Sequence, residues 1–108
     1  MASYLLIASR NPHESGEVHE FFRLAKRLAE ARDTVTLLLV QNGVLPARAG
    51  AADPWLGDLV QSGVEVVAEE LSLRERGISR ERLRPDVKPV SLDVAVDHLA
   101  EGRKTLWA

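Results

Sequence analysis

The run Tyr4-Leu5-Leu6-Ile7-Ala8 is apolar without interruption and is followed at once by the polar segment Ser9-Arg10-Asn11-Pro12-His13-Glu14-Ser15. Five apolar residues are too few for a buried helix of ordinary length, and no polar residue alternates with them. The run therefore reads as a strand covered on both faces, the kind found inside parallel sheets. An amphipathic helix is predicted next, from Gly16 to Ala31. Val18, Phe21, Phe22, Ala25, Leu28 and Ala29 fall on one stripe of it. Ser15 is the expected N-cap, and Glu14 and Glu17 lie where the positive end of the helix dipole favours them. Strand, polar loop and helix in this order are the first half of a parallel α/β unit, so Ser3–Phe22 sets the fold class.

The rest of the chain repeats the alternation. Thr34–Val40 is a second near-continuous apolar strand, ended by Gln41-Asn42-Gly43, with Val44-Leu45-Pro46 as a short helix or turn. Residues 47–52 have little to anchor them and read as an exposed loop. Asp53-Pro54 is a helix start, aspartate capping and proline at the first helical position, for a short helix Pro54–Ser62 burying Leu56, Leu59 and Val60. Gly63 ends it, and Val64–Ala68 forms the third strand. Glu69–Ile78 is predicted as a helical turn stopped at Gly77, and Ser79 caps another short turn broken before Pro85. Val87–Val90 is a fourth strand placed near an edge by Pro89. Ser91 is expected to cap a last helix, Leu92–Glu101, with Leu92, Ala95, Val96 and Leu99 inward. Thr105-Leu106-Trp107 is the fifth strand. Strands alternating with helices imply a mainly parallel sheet with helices on both faces, a single-domain, three-layer α/β/α arrangement of residues 1–108.

Composition narrows the chemistry. With 108 residues, 45% hydrophobic and 28% charged, the chain builds one core. A net charge of −2 argues against a general nucleic-acid or anionic-membrane surface. No apolar run approaches the roughly 20 residues of a membrane span. The N-terminus lacks a basic segment followed by a cleavable apolar region, which points to the cytoplasm. There is no cysteine, which removes disulfides, thiolate metal sites and all chemistry on a cysteine sulfur of the chain's own.

In a parallel sheet the loops after the strands gather at one edge, where ligands normally bind. Ser9–Ser15, Gln41–Gly43 and Glu69–Gly77 are thereby predicted neighbours. The first of these loops carries no Walker pattern and no G-x-G-x-x-G, so a nucleotide site of the usual kind is not expected. His13 is a candidate acid/base group, though only Ser9 and Ser15 stand near it in sequence as hydroxyls and neither sits in a G-x-S-x-G elbow. Glu69 and Glu70 are the other catalytic candidates, the plainer reading being a solvated pair at a helix start. Ser9, Asn11, His13, Gln41, Asn42 and Arg76 form a candidate ligand-binding set. His19 and His98 are placed on outer helix faces, and no spacing suggests a metal site or a cofactor. Arg74, Arg76, Arg80, Arg82 and Arg84, interrupted by Glu75 and Glu81, read as a charged outer face, with docking of an acidic partner as the sharper alternative. Trp55 and Trp107 are either core residues or interface anchors.

Leu39-Val40-Gln41-Asn42-Gly43-Val44-Leu45, Gly63-Val64-Glu65-Val66-Val67 leading to Ser72-Leu73-Arg74-Glu75-Arg76-Gly77-Ile78, and the closing Leu106-Trp107 are similar to the DsrE/DsrF/DsrH-like family, over essentially the whole chain. The resemblance implies a flavodoxin-like sheet of about five strands, assembly into trimers or hexamers, and a place among sulfur-relay proteins. In sulfur-transferring members it implies an acceptor cysteine at the end of the third strand. Here that neighbourhood reads Ala68-Glu69-Glu70-Leu71. The expectation is a member that carries no persulfide: a structural or regulatory partner, homo-oligomeric or joined to cysteine-bearing relatives. The alternatives are a small-molecule binding module at the strand edge and an acid/base enzyme using His13 with Glu69 or Glu70.

Overall fold

The computed structural model describes residues 2–51 and 54–108. Five strands, β1 (Ser3–Ala8), β2 (Thr34–Leu39), β3 (Glu65–Glu69), β4 (Lys88–Val90) and β5 (Lys104–Trp107), form one sheet in the order β4-β3-β2-β1-β5. All four strand pairings are parallel. Four helices join them: α1 (Gly16–Glu30), α2 (Trp55–Gln61), α3 (Glu70–Glu75) and α4 (Asp93–Ala100). Two 3-10 segments, Gln41–Ala47 and Arg80–Arg82, complete the described structure.

The topology explains which helix lies where. The chain steps outward from β1 through β2 and β3 to β4, then returns across the sheet to β5 on the far side of β1. Parallel crossovers keep one hand, so reversing the direction of travel reverses the face on which the connection lies. Val18, Phe22 and Ala25 of α1, Leu56 and Leu59 of α2 and Leu73 of α3 accordingly pack on Leu6, Leu37, Leu39 and Val66. Ala95 of α4 packs on Leu5, Ile7, Leu38, Val40 and Val67 on the other side.

The last helix corrects the sequence reading. It starts at Asp93 behind Leu92, with Ser91 supplying only its carbonyl to Val94 N–H. Of the four residues expected inward, Ala95 alone is buried; Leu92, Val96 and Leu99 are 58%, 60% and 57% exposed. Ala95 is the one α4 residue buried against the sheet, and among the described residues no other helix packs on that face to meet its larger neighbours. Trp107 is level with Ile7 in the parallel register, so it projects to the same side, and it is 66% exposed. His98, expected on the outer face, has its Nδ1 buried without a hydrogen-bond partner among the described residues.

Smaller differences have local causes. Ser15 stands at the N-cap of α1 in extended geometry but makes no side-chain cap hydrogen bond. Ala47 is fully buried, and Arg48 bridges Leu83 in antiparallel fashion, so the expected loop is anchored at its start. Asp53, the expected cap of α2, and Ala52 lie outside the described residues.

Candidate functional site

At the C-terminal edge of the sheet the loop after β2 lies against the end of β1 through backbone contacts that leave little room. Val40 N–H donates to the Ala8 carbonyl at 3.0 Å, and Gly43 N–H donates back to Val40 at 2.9 Å. Gly43 lies so close to β1 that a Cβ there would stand 2.1 Å from the Ala8 carbonyl oxygen. Only glycine fits that approach.

Glu69 is the pivot of this edge. It is the last residue of β3 and the N-cap of α3, and only 9% exposed. Its carboxylate accepts from Leu71 N–H, from Ser72 N–H at 3.1 Å and from Ser72 Oγ at 2.7 Å. Ser72 Oγ accepts in turn from Gln41 N–H at 2.8 Å. That bond holds Gln41 at φ +52, in the left-handed region that non-glycine residues seldom occupy. The reading of Glu69 and Glu70 as a solvated pair is corrected for Glu69: a carboxylate at a helix N-terminus is favoured there even when buried, because its oxygens replace water with backbone and hydroxyl donors. Glu70 is exposed.

Arg76, just beyond α3, reaches back over the same edge. Its Nε donates to Asn42 Oδ1 at 3.0 Å and its Nη1 to the Ser72 carbonyl at 3.2 Å. Both acceptors are neutral, so the guanidinium is oriented while its charge stays uncompensated by them. Gln41, Asn42 and Arg76 of the candidate ligand set are thus brought together, with Ser72 as the residue that sequence reasoning missed. The signal for it was the spacing: a hydroxyl three residues after a carboxylate at a strand-to-helix junction is a capping arrangement.

The remaining candidates sit apart from that network. Ser9 Oγ and Ser9 N–H both donate to the Ala108 carbonyl, at 3.0 and 2.8 Å, tying the hydroxyl to the end of β5. Asn11 Oδ1 accepts from His13 N–H at 3.1 Å, closing a local turn. The His13 ring stands edge-on to Trp55 with centroids 5.3 Å apart, and His19 does the same at 4.3 Å. Trp55 is therefore half-buried among histidines, and His19 is not on an outer face. Among the described residues no group of three or more His, Asp or Glu side chains is placed to hold a metal ion. No helix among them is long and apolar enough to cross a membrane.

Comparison with known proteins agrees with this geometry. The chain superposes over its full length on the ychN protein from E. coli, at a TM-score of 0.89 and 22% identity, again over 100% of that chain. It matches MTH1491 from Methanobacterium thermoautotrophicum, a protein of unknown function, at a TM-score of 0.86 and 18% identity, with 100% of both chains covered. BT1422 from Bacteroides thetaiotaomicron, also of unknown function, gives 0.73 and 14% over 97% of this chain and 94% of that one. No protein of curated function matches the sequence. At these identities the likeness shows a shared fold. The family model of the DsrE/DsrF-like proteins matches residues 2–108. The chain belongs to the DsrE/DsrF-like family, as a member without cysteine.

Proposed function

We propose that this protein is a non-transferring subunit in intracellular sulfur metabolism, one that completes an assembly by association and holds no sulfur itself. The observation that carries the reading is Glu69. Where the family resemblance implies a persulfide-carrying thiol, at the end of β3, this chain has a carboxylate whose oxygens are occupied by three donors from α3. Persulfide exchange needs a polarisable thiolate as both acceptor and leaving group, and neither a carboxylate nor a hydroxyl can take that part.

Association is supported by the face that α4 leaves open. Leu92, Val96, Leu99 and Trp107 are large, apolar and exposed on one side of the sheet. Apolar residues gathered in this way, with an aromatic anchor, have the character of protein interfaces. The occupant is a second copy of this chain, in line with the oligomers of like subunits that the family resemblance implies; cysteine-bearing relatives would then dock on the assembled ring.

The test is to incubate the purified protein with a persulfide donor and a thiol acceptor. The reading expects no sulfur adduct by intact mass and no acceleration of transfer by this protein alone. Sulfane sulfur moved by the isolated protein would overturn it.

A second reading, small-molecule binding at the C-terminal edge, is favoured by the Asn42–Arg76 hydrogen bond, which orients a guanidinium without neutralising it. No comparable observation favours acid/base catalysis by His13 with Glu69 or Glu70.

A further inference from the structure

Beside the strand edge, the backbone of the first 3-10 segment turns to meet that of the second. Arg48 and Leu83 form an antiparallel bridge, Ala49 N–H donates to the Arg82 carbonyl at 2.6 Å and Arg84 N–H to the Ala47 carbonyl at 2.8 Å. Between this junction and the end of α3 lies a cleft of about 440 Å³. Its charged lining is Arg48, Arg76, Arg82 and Glu81.

Three guanidiniums face one carboxylate in a chain whose net charge is −2. None of the three lies within 4.0 Å of a carboxylate among the described residues. Elsewhere among the described residues some cations do pair, Arg84 meeting Asp86 through two bonds of 2.9 Å and Lys26 meeting Asp58 at 3.0 Å, while others such as Arg74 and Arg80 do not. In the cleft two of the three arginines are fixed by neutral acceptors. Arg48 Nε donates to the Leu45 carbonyl at 3.0 Å, and Arg76 is held by Asn42 and the Ser72 carbonyl. The one carboxylate, Glu81, accepts from its own backbone N–H and from Ser79, contacts that hold its carboxyl below the usual glutamate range. It is satisfied within its own turn.

The geometry points to a binding site for a doubly charged oxyanion group, phosphate or sulfate in class, held by Arg48, Arg76 and Arg82. Guanidiniums present fixed pairs of N–H donors that match the oxygens of such groups, and orienting Arg48 and Arg76 in advance removes part of the entropy cost of binding. A cleft of this volume admits a small molecule bearing the group as readily as the free ion. The site shares only Arg76 with the second reading above and does not depend on the missing thiol.

Thermal unfolding and titration calorimetry of the full chain, with inorganic phosphate and phenyl phosphate as probes and sodium chloride at matched ionic strength as control, test it. Saturable binding is expected, with the midpoint raised by about 5 °C at tenfold excess over Kd. Tighter binding of phenyl phosphate assigns the cleft to an esterified group, and tighter or equal binding of phosphate to the free ion. The exposed pair Arg48→Gln with Arg82→Gln should abolish the response while circular dichroism stays unchanged, and Arg23→Gln on α1 should preserve it. An equal shift with chloride, a response that survives the double substitution, or no saturable binding of either probe would overturn the assignment.

Discussion

On one face of the sheet α1, α2 and α3 together seal Leu6, Leu37, Leu39 and Val66 from water, whereas on the other α4 alone lies over Leu5, Ile7 and Leu38 and leaves Leu92, Val96, Leu99 and Trp107 exposed. Both faces are largely apolar, although the α4 side also carries the hydrogen-bonded group Thr36, Glu65 and Arg103; they differ in how many crossovers the topology sends over them. Three connections travel outward and one returns. The closed face holds the larger part of the core and hangs the strand-edge loops in place. On the open side Leu5, Ile7 and Leu38 are still buried, and it is Leu92, Val96, Leu99 and Trp107 that add little to the monomer.

Substitutions should separate the two. Leu37→Ala, in the closed core, is expected to cost about 3 kcal/mol of unfolding free energy by urea titration. Val96→Ala on the open face should cost under about 0.5 kcal/mol in the dissociated chain. Equal costs would mean that the α4 face is covered in the monomer.

Next in size is Glu69→Ala, which strips α3 of its cap and leaves Leu71 N–H, Ser72 N–H and Ser72 Oγ without their acceptor. A loss of about 1.5 kcal/mol is expected. Glu69→Gln keeps an acceptor oxygen and should recover part of it. A neutral result for Glu69→Ala would show that the carboxylate is incidental to the strand edge.

Asp86→Asn gives a smaller and pH-dependent effect. The hydrogen bonds from Arg84, reinforced by its charge, hold the Asp86 carboxyl below its usual range. The folded state therefore binds this proton less readily than the unfolded chain. The contribution is fully present above the unfolded value of about 4 and is lost as the pH falls through the depressed folded value. Wild type and Asp86→Asn should differ by up to about 1 kcal/mol at pH 7 and converge once the pH has fallen below the depressed folded value. A difference that persists in acid would assign the effect to packing of Arg84 against Gly57, where its Nη2 lies 2.9 Å from the place a Cβ would occupy.

The strands were legible from residues 4–8, 34–40 and 64–68 because a strand buried on both faces has to be apolar without alternation, and α1 was legible from its stripe. The exposure of Leu92, Val96 and Leu99 was not: periodicity says which residues share a stripe, never whether anything lies opposite it. At the site, the contact between the segments after β2 and β3 followed from parallel topology, whereas Ser9, Asn11 and His13 engage Ala108, their own turn and Trp55 instead. Which side chains engage there did not. Asn42 and Arg76 are 34 residues apart, and their bond depends on how α3 leaves β3. Glu69 looked like one of a solvated pair because burial of a carboxylate becomes favourable only when its donors are in place, and those are defined by the turn it caps.

The central claim, that the chain works by joining copies of itself across the open face and not by carrying sulfur, is tested most directly by its mass in solution. Light scattering at micromolar concentration should give a multiple of 11.9 kDa for the wild type and 11.9 kDa for the Val96→Glu, Trp107→Glu variant, with unchanged circular dichroism. A wild-type protein that stays at 11.9 kDa would contradict the account.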